Sequence, residues 1–324
     1  MTGEELRAEI EKPAQRRGVG PVQQMTGLLV SVLIVWWAFG RDRPPAAVPT
    51  PDAPSPRVAS TSPAITDSLA VLGLAPHVVG RSPYCRSVDA SVPVVGDLRG
   101  FDAERLALVR PEVLFVQPPL AGVDPALSDW CGRQRVELVA QRIDSLAELA
   151  SLGESIARVF GDGARARIDG FRAALAVAPP VAADAPRVIA VVSADPFLAV
   201  GRGNYLDEML AQCGVRNAVE AKGWVELSAE AIVALAPDRI VGIAETEAAA
   251  LDIEGYLEIL PWPRREDGTP RAPTIGARAI PELLSPSFAA LARRDEFGRL
   301  VLGRGSPASP ILGQPESAVG SSAP

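Results

Sequence analysis

The chain states one sixteen-residue phrase twice. FDAERLALVRPEVLFV at Phe101–Val116 returns as LSAEAIVALAPDRIVG at Leu227–Gly242, with Glu104 matched by Glu230 and Pro111 by Pro237, each 126 residues on. Each copy opens on a helix-capping residue, Asp102 or Ser228, runs through an apolar pair at helical spacing, and closes on Pro, an acid and a short apolar run. A helix start and a following strand repeated at one offset imply two similar α/β halves. At 324 residues the chain is long enough to give each half its own core.

The flanking segments extend both halves. Arg57–Thr61 reads as a strand, Ser62 as a cap with Pro63 at the first helical position of a helix over Ala64–Leu74, and His77–Gly80 as a second strand. A loop over Arg81–Pro93 leads to the first copy of the phrase; a helix around Pro125–Cys131 and a strand over Arg135–Ala140 follow it. The second half holds a strand at Val188–Val192, helices at Tyr205–Cys213 and Glu247–Leu260, a short strand at Ala272–Ile275 and a terminal helix over Leu283–Arg294. This alternation predicts mostly parallel sheets with helices on their faces. Asp144–Ala178 carries no strand signal: Ser145–Phe160 is helical, Gly161–Gly163 interrupts, and Ala164–Ala178 is a predicted second helix of about 22 Å. The predicted fold is α/β, two Rossmann-like lobes (57–143 and 179–300) joined by a long α-helix within 144–178, with a ligand cleft between the lobes.

The termini differ in kind. Met25–Gly40 is uncharged, ends near a Trp pair and is flanked by Lys12, Arg16, Arg17, Arg41 and Arg43, the pattern of a secretory segment or a retained signal anchor. The reading favoured is an anchor at 25–40 behind a cytoplasmic tail at 1–24, with the globular part exported. Residues 41–56 are a Pro-rich spacer, and 301–324, rich in Gly, Ser and Pro, a predicted disordered tail. With a net charge of −7 and no large Lys/Arg cluster, the chain is no candidate for nucleic acid.

Enzymatic motifs are missing. There is no phosphate loop, no GxSxG and no Cys/His pairing, and Gly201-Arg202-Gly203 lacks the third glycine of a dinucleotide site. One histidine, His77, and three cysteines without CxxC spacing give no metal centre and no intrinsic cofactor. For Cys85, Cys131 and Cys213 two readings stand: a Cys85–Cys131 disulfide with one thiol left over, or three buried thiols.

Six segments in order carry a resemblance: SPAITD at Ser62–Asp67 with LGL at Leu72–Leu74, VVGRSPYC at Val78–Cys85, VPVVGDL at Val92–Leu98, the first phrase, GRGNYLDEMLAQCGVRNAV at Gly201–Val219, and WVELSAEAIVALAPDRIV at Trp224–Val241. Over roughly 57–294 the chain resembles the substrate-binding proteins of ABC importers for vitamin B12, ferric siderophores and haem, whose lobes are joined by a long helix, and looks most like the vitamin B12 binders. The resemblance implies a metal chelate, a corrinoid first, as ligand and an ABC permease dimer as partner. It implies ligand-facing roles for Tyr84, Trp224, Ser62 and Pro63, and docking of Glu104 and Glu230 on permease arginines. Arg202, with Arg81 and Arg278, is a candidate for ligand carboxylates or phosphate. Two departures stand out: Leu98-Arg99 replaces the family's first-lobe aromatic, and PWPRREDG within Leu260–Ile280 breaks the usual pattern, with Trp262 a possible replacement ring.

Overall fold

The computed structural model describes residues 56–264, 266 and 271–303; the expected tail, anchor and nearly all of the spacer at the N-terminus, and residues 304–324, lie outside the described residues. Lobe one runs β1 (Val58–Ser60), α1 (Pro63–Val71), β2 (Val78–Gly80), α2 (Ala103–Val109), β3 (Val113–Val116), α3 (Pro125–Gln134) and β4 (Glu137–Ala140). Its sheet is all parallel in the order β2-β1-β3-β4. Lobe two holds β5 (Arg187–Ala194), β6 (Phe197–Val200), α6 (Tyr205–Gln212), β7 (Arg216–Asn217), β8 (Trp224–Glu226), α7 (Ala229–Ala234), β9 (Arg239–Ala244), α8 (Glu247–Glu258) and β10 (Thr274–Ala279). Here β7, β5, β9 and β10 are parallel neighbours in the same relative order, and β6 and β8 add an antiparallel extension to the other half of β5.

The repeated phrase builds one device in both lobes. Asp102 Oδ1 accepts from the Arg105 N–H at 2.9 Å and Ser228 Oγ from the Ala231 N–H at 3.2 Å, capping α2 and α7. Each helix gives way to a left-handed residue, Arg110 at φ 46° and Ala236 at φ 43°, before its proline. The acid after that proline then reaches the start of the lobe's first strand: Glu112 accepts from the Arg57 N–H and Asp238 from the Arg187 N–H, both at 2.8 Å. Register follows, with Val58 opposite Val113 in lobe one and Val188 opposite Arg239 in lobe two.

Between the lobes, α4 (Leu146–Phe160) is the long helix, opened by a capping box of Ser145 and Glu148, and α5 (Asp162–Asp169) follows it. The fifteen-residue element is therefore α4. The second helix, expected to reach Ala178, stops at Asp169, because Gly170 follows and Phe171 turns in to meet Phe288 edge-on at 5.2 Å between ring centroids. Leu149, Leu152 and Ile156 of α4 are fully buried in one apolar cluster that also holds Val58 and Phe115 of lobe one and Val188 and Tyr205 of lobe two. Separate clusters back the far face of each sheet. The terminal helix is also divided: a 3-10 turn over Pro281–Leu284, α9 (Phe288–Ala292) and α10 (Arg294–Leu302), split by Pro286 and restarted by the buried Ser287, whose hydroxyl accepts from the Ala290 N–H. α9 returns to α1, where the Phe288 N–H donates to Ser68 Oγ at 3.1 Å. The lobes thus share a core as well as a covalent bridge.

Candidate functional site

A depression of about 450 Å³ opens between the lobes, within the ~300–1,000 Å³ of small-molecule sites. Its residues come from strand ends: Gln117 just past β3, Val192 and Ser193 of β5, Leu198 of β6, and Trp224 at the start of β8. Ile143 and Asp144 ahead of α4, Asn204 and Tyr205 at the start of α6, and Leu284 and Pro286 complete the lining. This is where open α/β sheets bind ligands, outside the carboxyl ends of their parallel strands.

Most polar groups of the floor are committed. The Tyr205 N–H donates to the Asp144 carbonyl at 2.8 Å, and the Tyr205 hydroxyl donates to the Leu283 carbonyl; burial pushes that phenol far above its ordinary pKa. Asn204 Oδ1 caps α6 by accepting from the Leu206 and Asp207 N–H groups at 3.0 Å, and Asp144 pairs with Arg142. Gln117 differs. Its Oε1 accepts from the Ser62 hydroxyl at 2.8 Å, while its Nε2 has no partner among the described residues.

The expected site residues do not all converge. Trp224 is 45% exposed and lines the depression. Ser62 is fully buried, caps α1 and is outside the lining, bonded to Gln117; Pro63 is the first residue of that helix, half-buried. Tyr84, 66% exposed on the loop after β2, is outside the lining. Arg202 lines a separate hollow with Asp207 and Arg216. Arg81 is spent on the Val92, Ser82 and Ala90 carbonyls, and Arg278 is exposed on β10. The Trp262 indole N–H donates to the Leu257 carbonyl at 3.1 Å, its ring packed on the lobe-two core. Gly201 has a structural explanation: a Cβ there would lie 2.2 Å from the Ala221 carbonyl oxygen, where the turn is pinned beside β8.

Glu104 and Glu230 are both exposed in the first turns of α2 and α7. The Glu230 carboxyl is held below its usual range by its own N–H and the Ser228 hydroxyl. All three cysteines are free, and the Cys85–Cys131 pairing is not formed: Cys85 Sγ sits 3.1 Å from Thr66 Oγ1, while Cys131 packs in the outer core of lobe one. His77 is half-buried against the Phe160 ring, its pKa lowered by that burial and by Arg167. Among the described residues no cluster of His, Cys, Asp and Glu could hold a metal ion.

Gln117 was missed in sequence, although a polar residue ending a buried strand and followed by Pro118-Pro119 is a readable signal. Leu198 and Ser193 were missed because the β5–β6 hairpin was not anticipated.

Fold and cleft together define a two-lobed, helix-bridged binding protein. The chain belongs to the periplasmic binding protein family, whose profile matches residues 58–253; this is a family of exported binding proteins and not of enzymes. It is similar in structure to the haem-binding periplasmic protein BhuT in complex with two haems (21% identity, 76% of this chain and 98% of that one, TM-score 0.58). It is likewise similar to a periplasmic haem-binding protein from Pseudomonas aeruginosa (21%, 78% and 95%, 0.56) and to the vitamin B12-binding protein BtuF of Vibrio cholerae (16%, 77% and 97%, 0.52). At these identities the likeness shows a shared fold. No curated protein matches the chain.

Proposed function

We propose that the chain captures a metal chelate of the tetrapyrrole kind outside the cytoplasm, a corrinoid first, and presents it to the permease of an ABC importer. The observation that carries this is the interlobe depression itself: an indole face from Trp224, apolar walls from Ile143, Val192, Leu198 and Leu284, and one carboxylate, Asp144. Such a lining suits a flat apolar ring system that brings its own metal ligands. Solved structures of the same fold are described as binding haem or vitamin B12. Haem is the second reading, supported by solved structures of the same fold that are described as haem-binding. The shared core supports a receptor whose lobes move little on binding, and Glu104 and Glu230 are proposed as the permease contacts. Anchoring by residues 25–40 is part of the proposal; among the described residues no helix is long and apolar enough to cross a membrane.

The test is titration of the purified protein with cyanocobalamin, cobinamide, haem and ferric siderophores, followed by calorimetry and tryptophan quenching. Micromolar or tighter binding of a corrinoid is expected. Failure of every chelate to bind would remove the receptor reading.

A further inference from the structure

A second hollow of about 390 Å³ lies in lobe one, formed by the turn at Asp97–Phe101 and the segment from Gln117 to Pro125. Its walls are apolar, with Phe101, Val116, Val123 and Leu127 among them. Its two acids are occupied: Asp97 accepts from the Arg99 and Gly100 N–H groups, at 2.8 and 3.2 Å, and Asp124 caps α3 by accepting from the Ala126 N–H at 2.9 Å. Arg99 also lines the hollow, and its guanidinium has no partner among the described residues. An apolar pocket with one uncommitted cation fits an apolar ring on an anionic tether.

Gln117 belongs to the lining of this hollow and of the interlobe depression alike. The two hollows therefore adjoin at that residue. We infer that the lobe-one hollow is a subsite for a side arm of the captured chelate, an apolar ring joined through an anionic link, with Arg99 meeting the anion and the unpaired Gln117 amide at the junction. This rests on the proposed capture of a chelate in the interlobe depression.

Two corrinoids separate the claims. Cyanocobalamin carries a benzimidazole ring on a phosphodiester tether; cobinamide has the same macrocycle without that arm. With the full chain, cyanocobalamin is expected to bind at least about tenfold tighter than cobinamide. Arg99→Gln should remove most of that difference and leave cobinamide affinity unchanged. Gly100→Phe, placed where a Cβ meets nothing within 4 Å, should also lower cyanocobalamin affinity alone, with retained cobinamide binding reporting an intact fold. Equal affinity for the two corrinoids, or a preference that survives Arg99→Gln, would overturn the subsite while leaving chelate capture standing. Haem binding without corrinoid binding, unaffected by either substitution, would overturn it too. Absence of binding by any chelate would remove both claims.

Discussion

The Ser62 hydroxyl donates to Gln117 Oε1 at 2.8 Å, tying the cap of α1 to the residue that leaves β3 and faces the interlobe depression. Because Ser62 is fully buried and its helix returns the contact through the Ile65 N–H, the Gln117 amide is held in one orientation with its NH₂ free. Ser62→Ala is expected to cost about 1 kcal/mol of stability from the lost cap and to weaken chelate binding several-fold. Gln117→Ala should weaken binding and cost on the order of 1 kcal/mol of stability, because the buried Ser62 hydroxyl loses its acceptor. Urea denaturation paired with calorimetric titration checks both, and unaltered affinity in the two variants would rule out the positioning role.

Trp224 begins an edge strand, half exposed, with its ring on the depression. Bound chelate should quench its fluorescence by close contact. Trp224→Ala is expected to lose about tenfold in affinity, as an aromatic face worth ~1.4 kcal/mol would, and most of the quenching. Undiminished quenching would place the ligand elsewhere.

Sequence carried the lobes further than it carried the site. Asp102, Pro111 and Glu112, with Ser228, Pro237 and Asp238, are local signals whose meaning travels with the backbone, so helix, break and strand were legible at both copies. The β6–β8 extension was not, because Phe197–Val200 is a short apolar run and Trp224–Glu226 an edge strand with two exposed residues of three, patterns that do not distinguish strand from loop. Side-chain destinations are set by tertiary packing. Arg202 and Trp224 both flank the turn at Gly201, yet one lines the hollow near Pro179 and the other the interlobe depression. Gln117 acquires its importance from Ser62, 55 residues earlier, and such a pairing has no local signature.

The duplicated acids give a prediction that compares the lobes. Glu112 and Asp238 each accept from the first N–H of a parallel strand at the same distance, in exposed positions. Glu112→Ala and Asp238→Ala should each cost about 1 kcal/mol, the net worth of one hydrogen bond, and should differ little from one another. Their double variant should be additive, since the sites belong to different lobes. A large cost at one site and none at the other, in denaturant titrations, would show that the two phrases are not equivalent in energy.

Asp67 supplies a pH dependence. Its carboxyl on α1 is raised above the ordinary value, first by burial and then by Glu282 across from it, against the opposing effects of the Ser87 hydroxyl and Arg86. A raised carboxyl holds its proton more tightly in the folded state, so its ionisation opposes folding: the cost is absent below the unfolded value near ~3.9 and complete above the folded one. Asp67→Asn should therefore leave stability unchanged in acid and raise it progressively as pH increases through the raised pKa. Urea midpoints measured from pH 3 to 8 test this, and a variant less stable than the parent at neutral pH would contradict it.

Glu104 and Glu230 stand at matched positions of the two phrases, each exposed in a first helical turn where the helix dipole favours negative charge. The Glu230 carboxyl is held below its usual range, so it stays ionised in mild acid. Neither residue lines the interlobe depression. Their proposed work is thus separable from ligand capture. The double variant Glu104→Ala/Glu230→Ala should bind chelate with unchanged affinity, yet support little uptake with its cognate permease, while each single variant retains an intermediate rate. Raised ionic strength should weaken association of the parent protein with the reconstituted permease, as pairing of exposed charges requires. Full uptake by the double variant would remove the docking role and leave both glutamates as helix-start residues favoured by the dipole.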